Sequence, residues 1–146
     1  MLARNTDTQR ENSMTDYNKE LISFLDKSPT AFHAVANIKA RLEAEGYTEL
    51  AEPAKWELSE GGKYFVVRND SSIIAFRTPI FDFTGFMISA AHSDSPAFKV
   101  KENPEIVENG YVKLNVEGYG GMLMAPWLDR PLSVAGRIIV KNGNKY

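Results

Sequence analysis

Residues 84–101 read Thr84-Gly85-Phe86-Met87-Ile88-Ser89-Ala90-Ala91-His92-Ser93-Asp94-Ser95-Pro96-Ala97-Phe98-Lys99-Val100-Lys101. The apolar run at 86–91 has the length and character of a buried strand. Such a strand delivers its last residues to a sheet edge, where open α/β folds place their ligands. His92 is one of only two histidines in the chain, and Asp94 follows two positions later. A carboxylate at that spacing is able to fold back and accept one ring N–H. That contact fixes the tautomer and makes the other ring nitrogen a better metal ligand. Small residues before the histidine, Ser89-Ala90-Ala91, leave room beside the backbone. Taken alone, a His-x-Asp triplet also arises by chance, and a histidine ending a strand is often an ordinary hydrogen-bonded edge residue. The triplet therefore reads as half of a metal site, with the other half to be sought elsewhere.

Upstream, the spacing of Tyr17, Leu21, Phe24 and Leu25 predicts a helix over 16–26. Ser28-Pro29-Thr30 breaks it, and Thr30 is placed to cap a second helix over 31–45. Val35, Ile38 and Leu42 form the apolar stripe of that helix, and Gly46 suits the left-handed residue past its end. His33, near its start, reads as a packed or partly exposed helix histidine with no metal role. From Tyr47 the pattern turns to strands. Residues 63–68 and 72–77 flank Asn69-Asp70-Ser71 as a hairpin would. The nearly continuous apolar Ile73-Ile74-Ala75-Phe76 predicts an interior strand.

Downstream, 98–101 and 111–117 alternate as strands with one wet face, and Asn109-Gly110 reads as a tight turn. Gly118-Tyr119-Gly120-Gly121 lacks the lysine and the strand-to-helix setting of a phosphate loop. It reads as a turn where backbone passes close to another segment. Trp127, between Pro126 and Pro131, reads as a packing anchor. The run 137–141 predicts a strand, and Asn142-Gly143 is a strong signal for a type I′ turn. Only three residues follow that turn. A return strand needs about four or more, so the expectation is a chain that stops inside a hairpin, a short return strand being the alternative. The fold class is thus α/β, with two N-terminal helices packed on a mixed β-sheet.

Composition bounds the chemistry. With 43% hydrophobic and 25% charged residues, the chain is an ordinary globular one. A formal charge of −2 gives no electrostatic case for nucleic acid or a membrane surface. The absence of cysteine excludes disulfides and thiolate metal sites. A metal would have to use His, Asp, Glu or water, which suits zinc, manganese or cobalt. No long apolar run suggests a membrane span, and residues 1–14 lack the apolar core of a signal peptide, so a cytoplasmic location is expected. Residues 1–13 are polar and read as a disordered extension, with Met14 a candidate start.

Four ordered segments resemble one family, the M18 metallopeptidases, or aspartyl-aminopeptidase family. They are the stretch from Phe24 through Ser28-Pro29-Thr30-Ala31-Phe32-His33-Ala34, Ala91-His92-Ser93-Asp94-Ser95-Pro96 with Phe98-Lys99-Val100-Lys101, Leu114-Asn115-Val116-Glu117-Gly118-Tyr119-Gly120-Gly121, and Ala125-Pro126-Trp127-Leu128-Asp129-Arg130-Pro131 onward to Arg137. The resemblance implies a zinc-type aminopeptidase with two metal ions, manganese or cobalt being alternatives, acting on peptides, with the family name suggesting acidic N-terminal residues. It implies His92 as a metal ligand and Asp94 as the catalytic-site aspartate that orients it, and leaves the substrate-binding residues unassigned. It places residues 14–104 in the N-terminal part of the catalytic domain and 105–146 at the start of an inserted β-rich domain used in homo-oligomer contacts. Asp129 falls in the segment that opens that insert and is not taken as the bridging ligand. The family's remaining ligands would lie beyond Tyr146, so the chain alone is expected to be an inactive fragment. The alternative is a non-catalytic subunit or interaction module that pairs with full-length chains.

Overall fold

The computed structural model describes residues 16–141. The extension at 1–13 and the Asn142-Gly143 turn lie outside the described residues. Two compact units divide the chain. One takes in the described residues up to Ser93 together with the stretch from Gly136, and the other is Asp94–Ala135.

In the first unit, residues 16–26 form helix α1 and Ala31–Ala44 form α2. The punctuation between and after them is chemical. Thr30 is extended, with φ −139° and ψ 165°, and its hydroxyl accepts from the His33 N–H at 3.5 Å, leaving the first turn of α2 capped. Asn37 reaches back from α2 and donates to the Lys27 carbonyl at 2.9 Å and to Ser28 Oγ at 3.0 Å, tying the end of α1 to its neighbour. At the other end of α2, Gly46 has φ +78°. Its N–H donates to the Glu43 carbonyl at 3.0 Å, and the Tyr47 N–H to that of Leu42 at 2.9 Å. That pair of bonds is a Schellman ending, and it needs a residue without a Cβ at the left-handed position.

Strands β1 (Thr48–Glu49), β2 (Lys63–Arg68) and β3 (Ser72–Arg77) form one sheet in that order. β1 runs parallel to β2 and β2 antiparallel to β3, so the sheet is mixed, as expected. The β2–β3 turn places Asn69 and Asp70 at φ 53° and 56°, a conformation that Asn and Asp tolerate better than other side chains. Tyr64 and Phe65 are both buried. Successive strand residues face opposite sides, so β2 is enclosed on both. On one side Tyr64 packs on Phe76, directly across the ladder, at 5.7 Å, and Trp56 stacks on Phe76 at 6.2 Å. On the other, α2 lies against the flanking strands β1 and β3, with Ala34 and Val35 buried.

The second unit is a ribbon of β4 (Ala97–Glu108) and β5 (Tyr111–Tyr119), followed by a single 3-10 turn at Ala125–Trp127. Asn109 and Gly110, at φ 53° and 82°, make the two-residue turn that the sequence announces. The register shifts between Val100 and Glu105, where Asn103 takes φ 50° and the ribbon carries a bulge. Trp127 does anchor this unit: its ring meets Phe98 edge-on at 5.5 Å.

Three strand expectations are corrected. β3 is not interior: it is the last strand in its sheet, with Ile73 and Phe76 half-buried while Ile74 is 70% exposed. Residues 86–91 form no strand; Phe86 is 81% and Ile88 83% exposed. Residues 137–141 likewise carry no regular structure. The physical reason is shared. A strand exists through its ladder, and among the described residues nothing pairs with β3's outer edge or with either apolar run.

If β2 is the core strand, Phe65→Ala lowers stability in urea unfolding by about 3–5 kcal/mol. Ile74→Ala changes it by no more than about 0.5 kcal/mol, as at other exposed positions. Equal effects would contradict the assignment of the core.

Candidate metal centre

His92 is exposed and lies in a segment without regular structure at the end of the first unit. What holds that segment is a side chain one residue on. Ser93 Oγ donates to the Ser71 carbonyl at 2.8 Å, pinning the chain to the β2–β3 turn. The turn is itself gripped. Arg137 Nη1 donates to the Asn69 carbonyl at 3.1 Å and to Asp70 Oδ2 at 3.4 Å. The same guanidinium lies 4.2 Å from the centre of the Phe32 ring at the start of α2. An arginine suits this post because its planar fork bonds at its edge while its face stacks on an aromatic.

Asp94 opens the second unit and is half-buried. Its Oδ2 accepts a hydrogen bond from the Tyr119 hydroxyl. The bond, and the nearby carboxylate charge, raise the Tyr119 phenol above its ordinary range, because losing the proton would set two negative charges together. Tyr119 stands opposite Ala97 in the β4–β5 register, which brings its ring alongside the start of β4. The sequence carries no local signal for this pair: Gly118-Tyr119-Gly120-Gly121 reads only as a turn with close backbone passage.

Of the two predicted site residues, His92 belongs to the first unit and Asp94 to the second. His33 takes no part: its ring Nδ1 is 2.8 Å from the Thr30 hydroxyl, at the capped end of α2. Asp129 accepts from its neighbour Arg130 at 3.0 Å. Among the described residues no group of three or more His, Asp or Glu gathers as a metal cage. A zinc site takes three or four protein donors. The imidazole of His92 with a carboxylate two residues on fits one ligand position of such a site in chemistry; the further positions are not filled by the described residues.

These features describe an α/β chain with a His-x-Asp step, a spacing compatible with a metal ligand and its orienting carboxylate. The family described as "Aminopeptidase I zinc metalloprotease (M18)" matches residues 24–146, and the chain belongs to it. A "Probable M18 family aminopeptidase 2" of Clostridium acetobutylicum is 50% identical over 129 residues, covering 86% of this chain and 30% of its own length. The chain therefore spans less than a third of the curated relatives of this kind. Among solved structures, the "Cryo-EM structure of the Ape4 and Nbr1 complex" matches with TM-score 0.73 and 37% identity, over 76% of this chain and 22% of that one. The "Structure of S. cerevesiae mApe1 dodecamer" matches with TM-score 0.63 and 26% identity, over 81% of this chain and 28% of that one.

The Tyr119 shift carries a prediction with a definite sign. Asp94→Asn removes the negative charge and brings the Tyr119 titration down toward the ordinary value of about 10, measured by NMR of the ring carbons. A phenol raised in the folded chain contributes stability below its unfolded value and loses it as pH rises through the folded one. An upward or absent movement in Asp94→Asn would contradict the contact.

Proposed function

We propose that this chain is the part of a metal-dependent aminopeptidase that supplies His92 to the metal centre. Family membership over residues 24–146 is the observation that carries this reading, together with a histidine and aspartate spaced as a ligand and its orienting carboxylate. Bound metal, zinc by the family's description and two ions by resemblance, with manganese or cobalt able to substitute, would supply hydroxide near neutral pH and polarise a peptide carbonyl. The chain's own part is narrower. His92 would offer one ring nitrogen as donor, and Asp94 would accept a hydrogen bond from the N–H of the other, fixing the tautomer and the aim of the ring. The substrate would be a peptide with a free N-terminus, acidic residues there being the preference that the resemblance suggests.

The segment from about 105 is read as the opening of an insert used between subunits, and the likeness to a dodecameric structure supports assembly as a homo-oligomer. The chain spans about 30% of the Clostridium acetobutylicum relative's length, and the remaining donors are taken to lie in the part it does not span, so the 146 residues by themselves are expected to give no turnover.

The test is complementation. Alone, with zinc present, the chain gives no turnover of Asp- or Glu-terminated chromogenic amides. Mixed with the portion of the Clostridium acetobutylicum relative that lies beyond the matched region, it restores turnover, and His92→Ala abolishes it. Turnover by the unaided chain, or turnover in the mixture that survives His92→Ala, would sink the assignment.

A further inference from the structure

The Gly118-Tyr119-Gly120-Gly121 motif lies outside the proposed ligand set, yet it ends β5 beside the segment that carries Asp94. We infer that Tyr119 is a positioning residue: its hydroxyl holds the Asp94 carboxylate in one orientation, so that the carboxylate is able to aim the His92 ring. The inference deepens the metal-site reading and rests on it.

The geometry lies within the second unit. Tyr119 is the last residue of β5 and pairs across the ladder with Ala97, three residues after Asp94. Its hydroxyl donates to Asp94 Oδ2. Directly after it, Gly120 takes φ +73°, in the left-handed region, and a Cβ there would touch the Cα, Cβ and Cγ of Pro96 at 3.5 Å. Backbone here closes on the Asp94-Ser95-Pro96 segment from the side of β5. The sequence predicts a turn over all four residues; Gly118 and Tyr119 instead belong to β5, and of the glycines only Gly120 comes near another segment, at ordinary contact distance. The ribbon's own pairing fixes the tyrosine's Cα, and the edge-on contact of Phe98 with Trp127 packs the neighbouring rung.

The choice of residue fits the task. An orienting carboxylate must keep its negative charge, because that charge is what strengthens the imidazole as a ligand. A lysine or arginine would fix the carboxylate and also cancel its field. A phenol fixes it as a neutral donor, through a charge-assisted bond stronger than one between neutral groups. A carboxylate accepts at both oxygens, so a hydroxyl on Oδ2 is compatible with an imidazole N–H on the same group. Without the hydroxyl, the carboxylate gains rotational freedom about its χ2, a broad torsion, and its aim degrades.

The test is NMR on the 146-residue chain at pH 7, with carbon-labelled aspartate and tyrosine and nitrogen-labelled histidine, comparing the unsubstituted chain with Tyr119→Phe and Asp94→Asn. Tyr119→Phe is expected to move the Asp94 carboxyl resonance, to leave those of Asp16, Asp26 and Asp82 in place, and to shift the His92 ring nitrogens in the same direction as Asp94→Asn. An unmoved Asp94 in a chain whose other carboxyl signals are unchanged overturns the inference. Tyr119 is 46% exposed and phenylalanine keeps the ring, so the fold is expected to survive. Should it not, Asp94→Asn decides from the other side: the Tyr119 ring carbon bearing oxygen must move, and a stationary signal overturns the inference. The two claims separate cleanly. If Asp94→Asn leaves His92 unchanged while Tyr119→Phe moves Asp94, the orienting role of Asp94 in the metal-site reading falls, and with it the purpose of the hold, while the hold itself stands. If Asp94→Asn shifts His92 and Tyr119→Phe shifts neither group, the hold falls and the metal-site reading stands.

Discussion

The enclosure of β2 is the constraint on which the first unit depends. Tyr64 and Phe65 point to opposite faces and both are buried, so this short strand needs cover on both sides. One cover is aromatic, Phe76 and Trp56 over Tyr64. The other is α2, whose Ala34 and Val35 complete the buried set among the described residues. So small a core places heavy demands on its ends. The caps at Thr30 and Gly46, and the left-handed turn at Asn69-Asp70, settle where α2 stops and where β3 begins. That turn then serves as the fixed post to which Ser93 attaches the segment that ends in His92.

Local chemistry was legible in the sequence wherever a few neighbouring residues decide the outcome. Both helices follow from apolar spacing, and α2 also from caps that satisfy its orphan N–H and C=O groups. The hairpins follow from Asn and Gly at positions that require positive φ. The readings that failed concern pairing. An apolar run such as 86–91 says that a segment wants a ladder and a cover; it does not say where the ladder is. Ile74 shows the same limit from the other side, since four apolar residues in a row suggested an interior strand where, among the described residues, no further strand pairs with β3.

The candidate site was legible in part for the same reason. His92 and Asp94 lie two positions apart in sequence, so the proposal of a ligand with its orienting carboxylate could be framed from the sequence. Tyr119 lies 25 residues from Asp94. Its contact comes from the β4–β5 register and from Gly120 passing Pro96, and neither has a local signature. Arg137 is the more distant case: it reaches the β2–β3 turn from 68 residues away and stacks on Phe32. Such contacts bind the proposed ligand's surroundings to the scaffold, yet they look in sequence like any surface tyrosine or arginine.

The central claim is that His92 is one ligand of a metal site whose donor set is not complete among the described residues. Zinc titration of the 146-residue chain by calorimetry, with His92→Ala beside it, tests this most directly. The account predicts binding about a thousandfold or more weaker than a complete site gives, and weaker again in His92→Ala. Tight stoichiometric binding that His92→Ala abolishes would contradict the incomplete donor set, because carboxylates of this chain would then complete it. Binding of any strength that His92→Ala leaves unchanged would contradict the ligand assignment itself.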